Sequence, residues 1–258
     1  MIIAILTIFA VTAFCWLSSK PVVYMIGDST MANKPVQDNP ERGWGQLLPE
    51  FFNQEVTIEN HAMNGRSTRS FIYEGRWDSV MKKLKKGDFV VIQFGHNDES
   101  LQKTERYCTP AEYLYNLARF IQDVRNKRAE PILCTHVQRR KFNEKGLFQD
   151  THGDYPGIVR ELAAQLAVPL VDMQKKSEKV IVGYGEEGSK KIFLHITAGE
   201  YKSLPNGRED NTHFSEYGAR LMAGLFCEGL KEINHSLVKY FSPENIQNPR
   251  SNPSEKVR

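Results

Sequence analysis

Four short segments of this 258-residue chain hold the residue types that ester hydrolysis requires: Gly27-Asp28-Ser29-Thr30, Asn60 through Ser67, Gly95-His96-Asn97-Asp98 and Asp210-Asn211-Thr212-His213. A serine hydroxyl is a weak nucleophile near neutral pH and needs a base beside it, which makes Ser29 the candidate nucleophile and His213 the candidate base. Histidine also suits the return of the proton to a leaving alcohol, because its pKa lies near working pH. Asp210 sits three residues before His213 on what reads as one turn. From there it can reach the far ring nitrogen, fix the tautomer and stabilise the imidazolium. An oxyanion forming on the reacting carbon needs donors aimed at it. The backbone N–H groups of Ser29 and Gly65 and the side-chain amide of Asn97 can supply three. Glycine at 65 lets the backbone approach a reacting carbonyl with no Cβ in the way.

Each segment alone has a plainer reading: a Gly-Asp-Ser turn, an Asn bonding its own loop, an Asp-x-x-His helix cap. Their common placement is what carries weight. Continuous apolar runs at Val22–Ile26, Val56–Glu59, Phe89–Phe94, Pro131–Thr135 and Val168–Asp172 read as strands covered on both faces, as in a parallel sheet. Between them, Trp44–Phe52, Arg76–Leu84, Ala111–Lys127 and Ile158–Leu166 repeat apolar residues at helical spacing, and Glu216–Lys231 forms a last helix. Thr109-Pro110 supplies a cap and a proline at the first helical position. The alternation predicts an α/β fold: a three-layer α/β/α sandwich on a mostly parallel sheet of roughly five strands. In such sheets reacting groups gather beyond the carboxyl ends of the strands; three of the segments follow expected strands and the fourth, Asp210 to His213, stands just before the last helix, which would bring all four to one edge.

Composition excludes other classes. With 40% hydrophobic and 25% charged residues, the chain can bury a full core and is neither disordered nor polytopic. A net charge of +3, from 34 basic against 31 acidic residues, is too small to argue for nucleic acid. Residues 1–19 hold an uncharged apolar run, Ile2 to Leu17, that reads as a secretory signal cut near Ser18 or Ser19. A membrane anchor is the competing reading, and a lipid anchor at Cys15 is disfavoured by bulky Phe14. Either way export to the periplasm or the exterior is expected, with membrane contact only if that segment stays uncleaved. Residues 20–241 read as one domain and 242–258, polar with three prolines, as a loose tail. Once Cys15 leaves, Cys108, Cys134 and Cys227 cannot close a disulfide framework, and Cys134 and Cys227 fit buried inert thiols.

The blocks GDST, N-x-x-x-N-G-R-S, F-G-H-N-D and D-N-T-H-F-S-x-x-G resemble those of the GDSL/SGNH hydrolase superfamily. With Gly43-Trp44-Gly45-Gln46, the set is similar to its rhamnogalacturonan acetylesterase branch, over about Val22 to Leu230. Thr30 stands where leucine often does. The resemblance implies a flavodoxin-like fold and removal of O-acetyl groups from polysaccharide through an acetyl-serine. It also implies Ser29, Asp210 and His213 as the triad and Ser29, Gly65 and Asn97 as oxyanion donors. No cofactor and no metal are expected. Gly183 through Gly188 spells GxGxxG but follows no first strand, so a dinucleotide site is disfavoured. A metal-dependent hydrolase is disfavoured because no HExxH-type spacing occurs. Arg66, Arg69, Arg139, Arg140 and Lys141 follow strands two and four, which predicts a positive rim suited to an acetylated acidic polysaccharide. Asn64, Arg66, His96 and Asp98 are the candidate substrate contacts, Trp44 is expected to be buried, and the expected state is a monomer.

Overall fold

The apolar runs do become buried strands. In the computed structural model, which describes residues 20–244, Val22–Gly27 (β1), Thr57–Asn60 (β3), Phe89–Gln93 (β4), Glu130–Cys134 (β5) and Leu170–Val171 (β6) form one sheet. Its spatial order is β3-β1-β4-β5-β6, and every neighbouring pair is parallel. Counted within the sheet this is the order 2-1-3-4-5, the flavodoxin-like arrangement, whose order reverses beside β1. The segment 1–19 expected to be a signal lies outside the described residues, as does all but the first three residues of the expected tail.

Side chains alternate along each strand and divide the core in two. Val23, Met25 and Val91 face a layer holding Trp44, Met222 and Phe226, whereas Tyr24, Ile26, Val90 and Ile92 face Trp77, Phe120 and Tyr113. The first layer contains the helices Trp44–Leu47 (α1), Met173–Gly188 (α6) and Glu216–Glu232 (α7). The second contains Thr68–Tyr73 (α2), Arg76–Lys83 (α3), Pro110–Asn126 (α4) and Tyr155–Gln165 (α5). The expected α/β/α sandwich is thus present. Cys108, Cys134 and Cys227 are buried free thiols.

Several local expectations differ. The helix expected over Trp44–Phe52 is α1 followed by a 3-10 turn at Leu48–Phe51, because Pro49 has no N–H to continue an α-helix. Ser67 and Ser70 form a reciprocal capping box that starts α2. Asp172 caps α6 through the Lys175 N–H, and the GxGxxG spacing is the kinked end of that helix, with Gly185 at φ 67°. A second sheet joins Glu41–Arg42 (β2), Phe193–Ile196 (β7) and Arg208–Ser215 (β8) in the antiparallel order β2-β8-β7. Asp210 and His213 therefore sit in a strand and not in a turn before the last helix. Away from the carboxyl ends of the parallel strands, Pro21 accepts from the Thr57 N–H and Ser242 donates to Phe51. Phe52 and Phe241 pair there edge to face at 4.9 Å.

Candidate active site

Ser29 follows β1 on a turn held by side chains below it. Oδ1 of the fully buried Asp28 accepts from the Thr30 N–H at 2.9 Å and the Thr30 hydroxyl at 2.8 Å. Burial pushes the Asp28 carboxyl above its ordinary range, against these two hydrogen bonds. Thr30 Oγ1 accepts from Gln93 Nε2 at 2.9 Å, and Gln93 Oε1 accepts from Trp44 Nε1 at 2.8 Å. The Trp44 N–H returns to the Thr30 carbonyl at 2.9 Å. A Cβ added to Gly43 would lie 2.1 Å from the Ala32 carbonyl oxygen, so only glycine lets the two loops meet. The Gly-Trp-Gly-Gln block is therefore the clamp on the Ser29 turn, and Trp44 is wholly buried as expected.

His213 Nε2 lies 2.9 Å from Ser29 Oγ, and its Nδ1 lies 2.8 Å from Asp210 Oδ2. With Nδ1–H donated to the carboxylate, Nε2 is left to accept the serine proton. Strand geometry brings this about. The β7–β8 register jumps from Phe193–Phe214 to Leu194–Asp210, so residues 211–213 bulge out of the ladder and His213 is re-aimed toward Ser29. Asp210 Oδ1 closes the bulge by accepting from the N–H groups of Thr212 at 2.8 Å and His213 at 2.9 Å. Although burial alone would raise it, these bonds and His213 hold the Asp210 carboxyl well below the usual range.

Behind Asp210 runs a chain of charges that sequence reasoning missed. Arg208 Nη2 lies 2.5 Å from Asp210 Oδ2, Arg208 Nη1 lies 3.3 Å from Glu41, and Glu41 lies 2.7 Å from Lys34. Lys34, whose side chain is 2% exposed, ends on Asn64 Oδ1 at 2.5 Å. Asn64 is thus tied back into the protein, while remaining exposed at the loop tip.

On the other flank, β3 and β4 lie to either side of β1, so the loops bearing Gly65 and Asn97 border the Ser29 turn. Gly65 has φ 74°, a conformation that favours glycine. The Met63 N–H donates to the Gly27 carbonyl at 3.0 Å, drawing that loop onto the turn. Asn97 is pinned at both ends: Nδ2 donates to the Arg66 carbonyl at 3.0 Å, and Oδ1 accepts from Arg106 Nη1 at 3.1 Å. That pairing fixes which way the amide points and leaves its second N–H to spare. Among the described residues, the backbone N–H groups of Ser29 and Gly65 donate to no protein acceptor. Arg106 carried no motif signal, lying in the irregular polar run after GHND, yet it braces Asn97 and borders Gly65.

A cleft of about 580 Å³ opens from Gly65 between Arg66, Arg69, Tyr73, Glu74, Glu105 and Arg106. Tyr73 is 91% exposed there. Arg66 Nε lies 3.0 Å from Glu74, and Arg69 lies 2.5 Å from Glu112. Arg139 and Arg140 do not form the expected rim: Arg139 pairs with Glu99, and buried Arg140 bonds the Glu186 carbonyl and Asn211. His96 and Asp98 also depart from expectation as substrate contacts, because both side chains point inward. Asp98 is fully buried and accepts from the Thr68 N–H at 2.9 Å and hydroxyl at 2.6 Å, with burial pushing its carboxyl up to about 7.

The sequence matches the model of the GDSL-like lipase/acylhydrolase family over residues 25–221. It is 40% identical over 215 residues to rhamnogalacturonan acetylesterase RhgT of Bacillus subtilis strain 168, covering 83% of this chain and 91% of that one. Identity to the probable rhamnogalacturonan acetylesterase YesY of the same organism is 34% over 218 residues, covering 84% and 95%. The crystal structure of Bacillus subtilis YxiM superimposes with a TM-score of 0.72 at 25% identity, over 84% of this chain and 58% of that longer one.

Proposed function

We propose, for a chain that belongs to the GDSL-like lipase/acylhydrolase family, that it is a serine carbohydrate esterase removing O-acetyl groups from acetylated rhamnogalacturonan or a related pectin. The observation that carries the chemistry is the unbroken line from Asp210 through His213 to the Ser29 hydroxyl, with contacts of 2.8 and 2.9 Å.

In this reading His213 takes the Ser29 proton as Oγ attacks the acetyl carbonyl. The negative charge gathering on the carbonyl oxygen meets the N–H groups of Ser29 and Gly65 and the Asn97 amide, donors set before the reaction begins. Collapse expels the sugar alkoxide, which takes the proton from His213 and leaves as an alcohol. Water then attacks the acetyl-serine, with His213 again as base and Asp210 steadying the imidazolium at each step. Acetate and free Ser29 result.

The substrate class rests on the names of RhgT and YesY and on the cleft that opens from Gly65. An exposed tyrosine among arginines there suits a sugar ring flanked by carboxylates. Export of the enzyme to where such polymers occur rests on the apolar run before residue 20. The test is acetate release from a panel of acetylated pectins, xylans and chitin oligomers, with Ser29→Ala as the blank. Fastest release from pectin, abolished in Ser29→Ala, is the expected result. Release that survives the substitution would overturn the serine mechanism, and faster release from xylan or chitin would overturn the pectic substrate.

A further inference from the structure

A second cluster of ionisable groups lies behind the Asn97 loop, outside the machinery described above. We propose that Glu99, His136 and His152 form a binding site for a divalent transition-metal ion of the zinc class. Glu99 follows β4, His136 follows β5 and His152 precedes α5, so the three ligands come from three separate segments of chain. One ligand atom from each lies within 4.8 Å of the others.

The geometry is that of a ligand shell. A tetrahedral ion with bonds of about 2.0–2.1 Å sets its ligand atoms roughly 3.3 Å apart. Here His152 Nδ1 lies 3.0 Å from both Glu99 oxygens, and His136 Nε2 lies 3.7 Å from Glu99 Oε2. These two edges bracket that spacing, and the third, between the two imidazoles, lies within 4.8 Å. His152 Nε2–H donates to the Val137 carbonyl at 3.0 Å, so Nδ1 turns its lone pair toward the carboxylate. A backbone carbonyl on the far nitrogen is also how ligating histidines are oriented. A lone pair facing a carboxylate calls for a cation or a proton between them. His136 adds an independent sign: it is fully buried, and neither ring nitrogen makes a hydrogen bond of regular geometry among the described residues, with the Phe94 carbonyl and Glu99 as its polar neighbours. The His96 ring, likewise buried without a partner for either nitrogen, closes the pocket at 4.8 Å from His152 and 5.5 Å from His136.

Arg139 defines how the site opens. Its Nη1 lies 2.5 Å from Glu99 Oε1, 3.3 Å from His152 Nδ1 and 3.1 Å from Thr151 Oγ1. The guanidinium therefore covers the carboxylate from one flank and competes with an ion for it. Its side chain is 24% exposed, and release toward solvent frees Glu99. A bound ion would tie the Asn97 loop, the end of β5 and the segment before α5 together. It would not touch the reacting atoms, since Ser29 and His213 are no part of the shell.

The test uses the full chain stripped with chelator and dialysed, then titrated with Co²⁺ and Zn²⁺. One equivalent of Co²⁺ with an intense tetrahedral absorption band, displaced by Zn²⁺, is expected, together with a higher thermal midpoint in Zn²⁺. Glu99→Gln and His152→Gln should each weaken binding at least about tenfold. Arg139→Gln, nearer the surface and so less of a risk to folding, should tighten it. Absence of a stoichiometric Co²⁺ site, or Co²⁺ affinity unchanged in Arg139→Gln, would overturn the proposal and leave the cluster as an internal ion pair.

Discussion

The two flanks of Ser29 are built on different principles. On the base side, His213 stands on a bulge of an antiparallel strand, its side chain 25% exposed, and everything behind it is charged: Asp210, Arg208, Glu41 and Lys34. On the donor side, Gly65 and Asn97 stand on loops after parallel strands, held by a positive φ, a backbone carbonyl and one arginine. In the proposed reaction the two flanks have different tasks. A base has to gain and lose a proton at every step, so it needs a fixed counter-charge and access to water. Oxyanion donors never change charge and work best when already aimed, so neutral groups locked in place serve better.

The sharpest way to break this contrast is to remove the counter-charge. Asp210→Asn should keep the fold and cost about 10⁴ in kcat, because His213 loses its tautomer and its stabilised cation. The same substitution tests the linkage. Asp210 is held below the unfolded value of 3.8, so its contribution to stability is complete above that value and is lost as pH falls toward the folded pKa. Acid unfolding should therefore be shallower in Asp210→Asn than in the parent when midpoints are compared between about pH 5 and 2.

Next in size is the donor flank. Asn97→Ala should lower kcat by about 10² to 10³, and a loss under threefold on any acetyl ester would remove Asn97 from the oxyanion. Arg106→Met leaves the amide in place but frees its orientation. A loss near tenfold in kcat with KM unchanged is expected, about the worth of one hydrogen bond; a change confined to KM would make Arg106 a substrate contact instead. Arg66→Ala should be the mildest, raising KM for acetylated pectic fragments and leaving a small neutral acetate ester unaffected. An equal rise for both would detach the cleft from substrate charge.

The same contrast explains what could be read in the sequence. β1, β4 and β5 are legible because a strand covered on both faces is largely apolar, and the glycine and serine beyond β1 and the glycine and asparagine beyond β4 advertise reacting loops. β8, Arg-Glu-Asp-Asn-Thr-His-Phe-Ser, buries fully only Phe214, so nothing apolar announced it and it passed for a turn. Asp210 does pair with His213, but the bulge, not a turn, brings them together. α6 opens Met-Gln-Lys-Lys-Ser-Glu-Lys, charged enough to look like loop, and α2 is too short for its periodicity to register. Arg106, Arg208 and Lys34 were invisible for a plainer reason. Their roles arise from long-range contacts between loops, and no spacing along one segment encodes them.

The pairing of Phe52 with Phe241 has a practical side. Lys20 and Ser242 both lie near the amino ends of the parallel strands, with β1 running six residues, about 20 Å, from there toward the Ser29 turn. A bead or fluorophore attached at Lys20 or Ser242 would hang from the base of the molecule. The Ser29 turn would stay unobstructed, and two handles on one face allow the enzyme to be arrayed on a solid support with a uniform orientation.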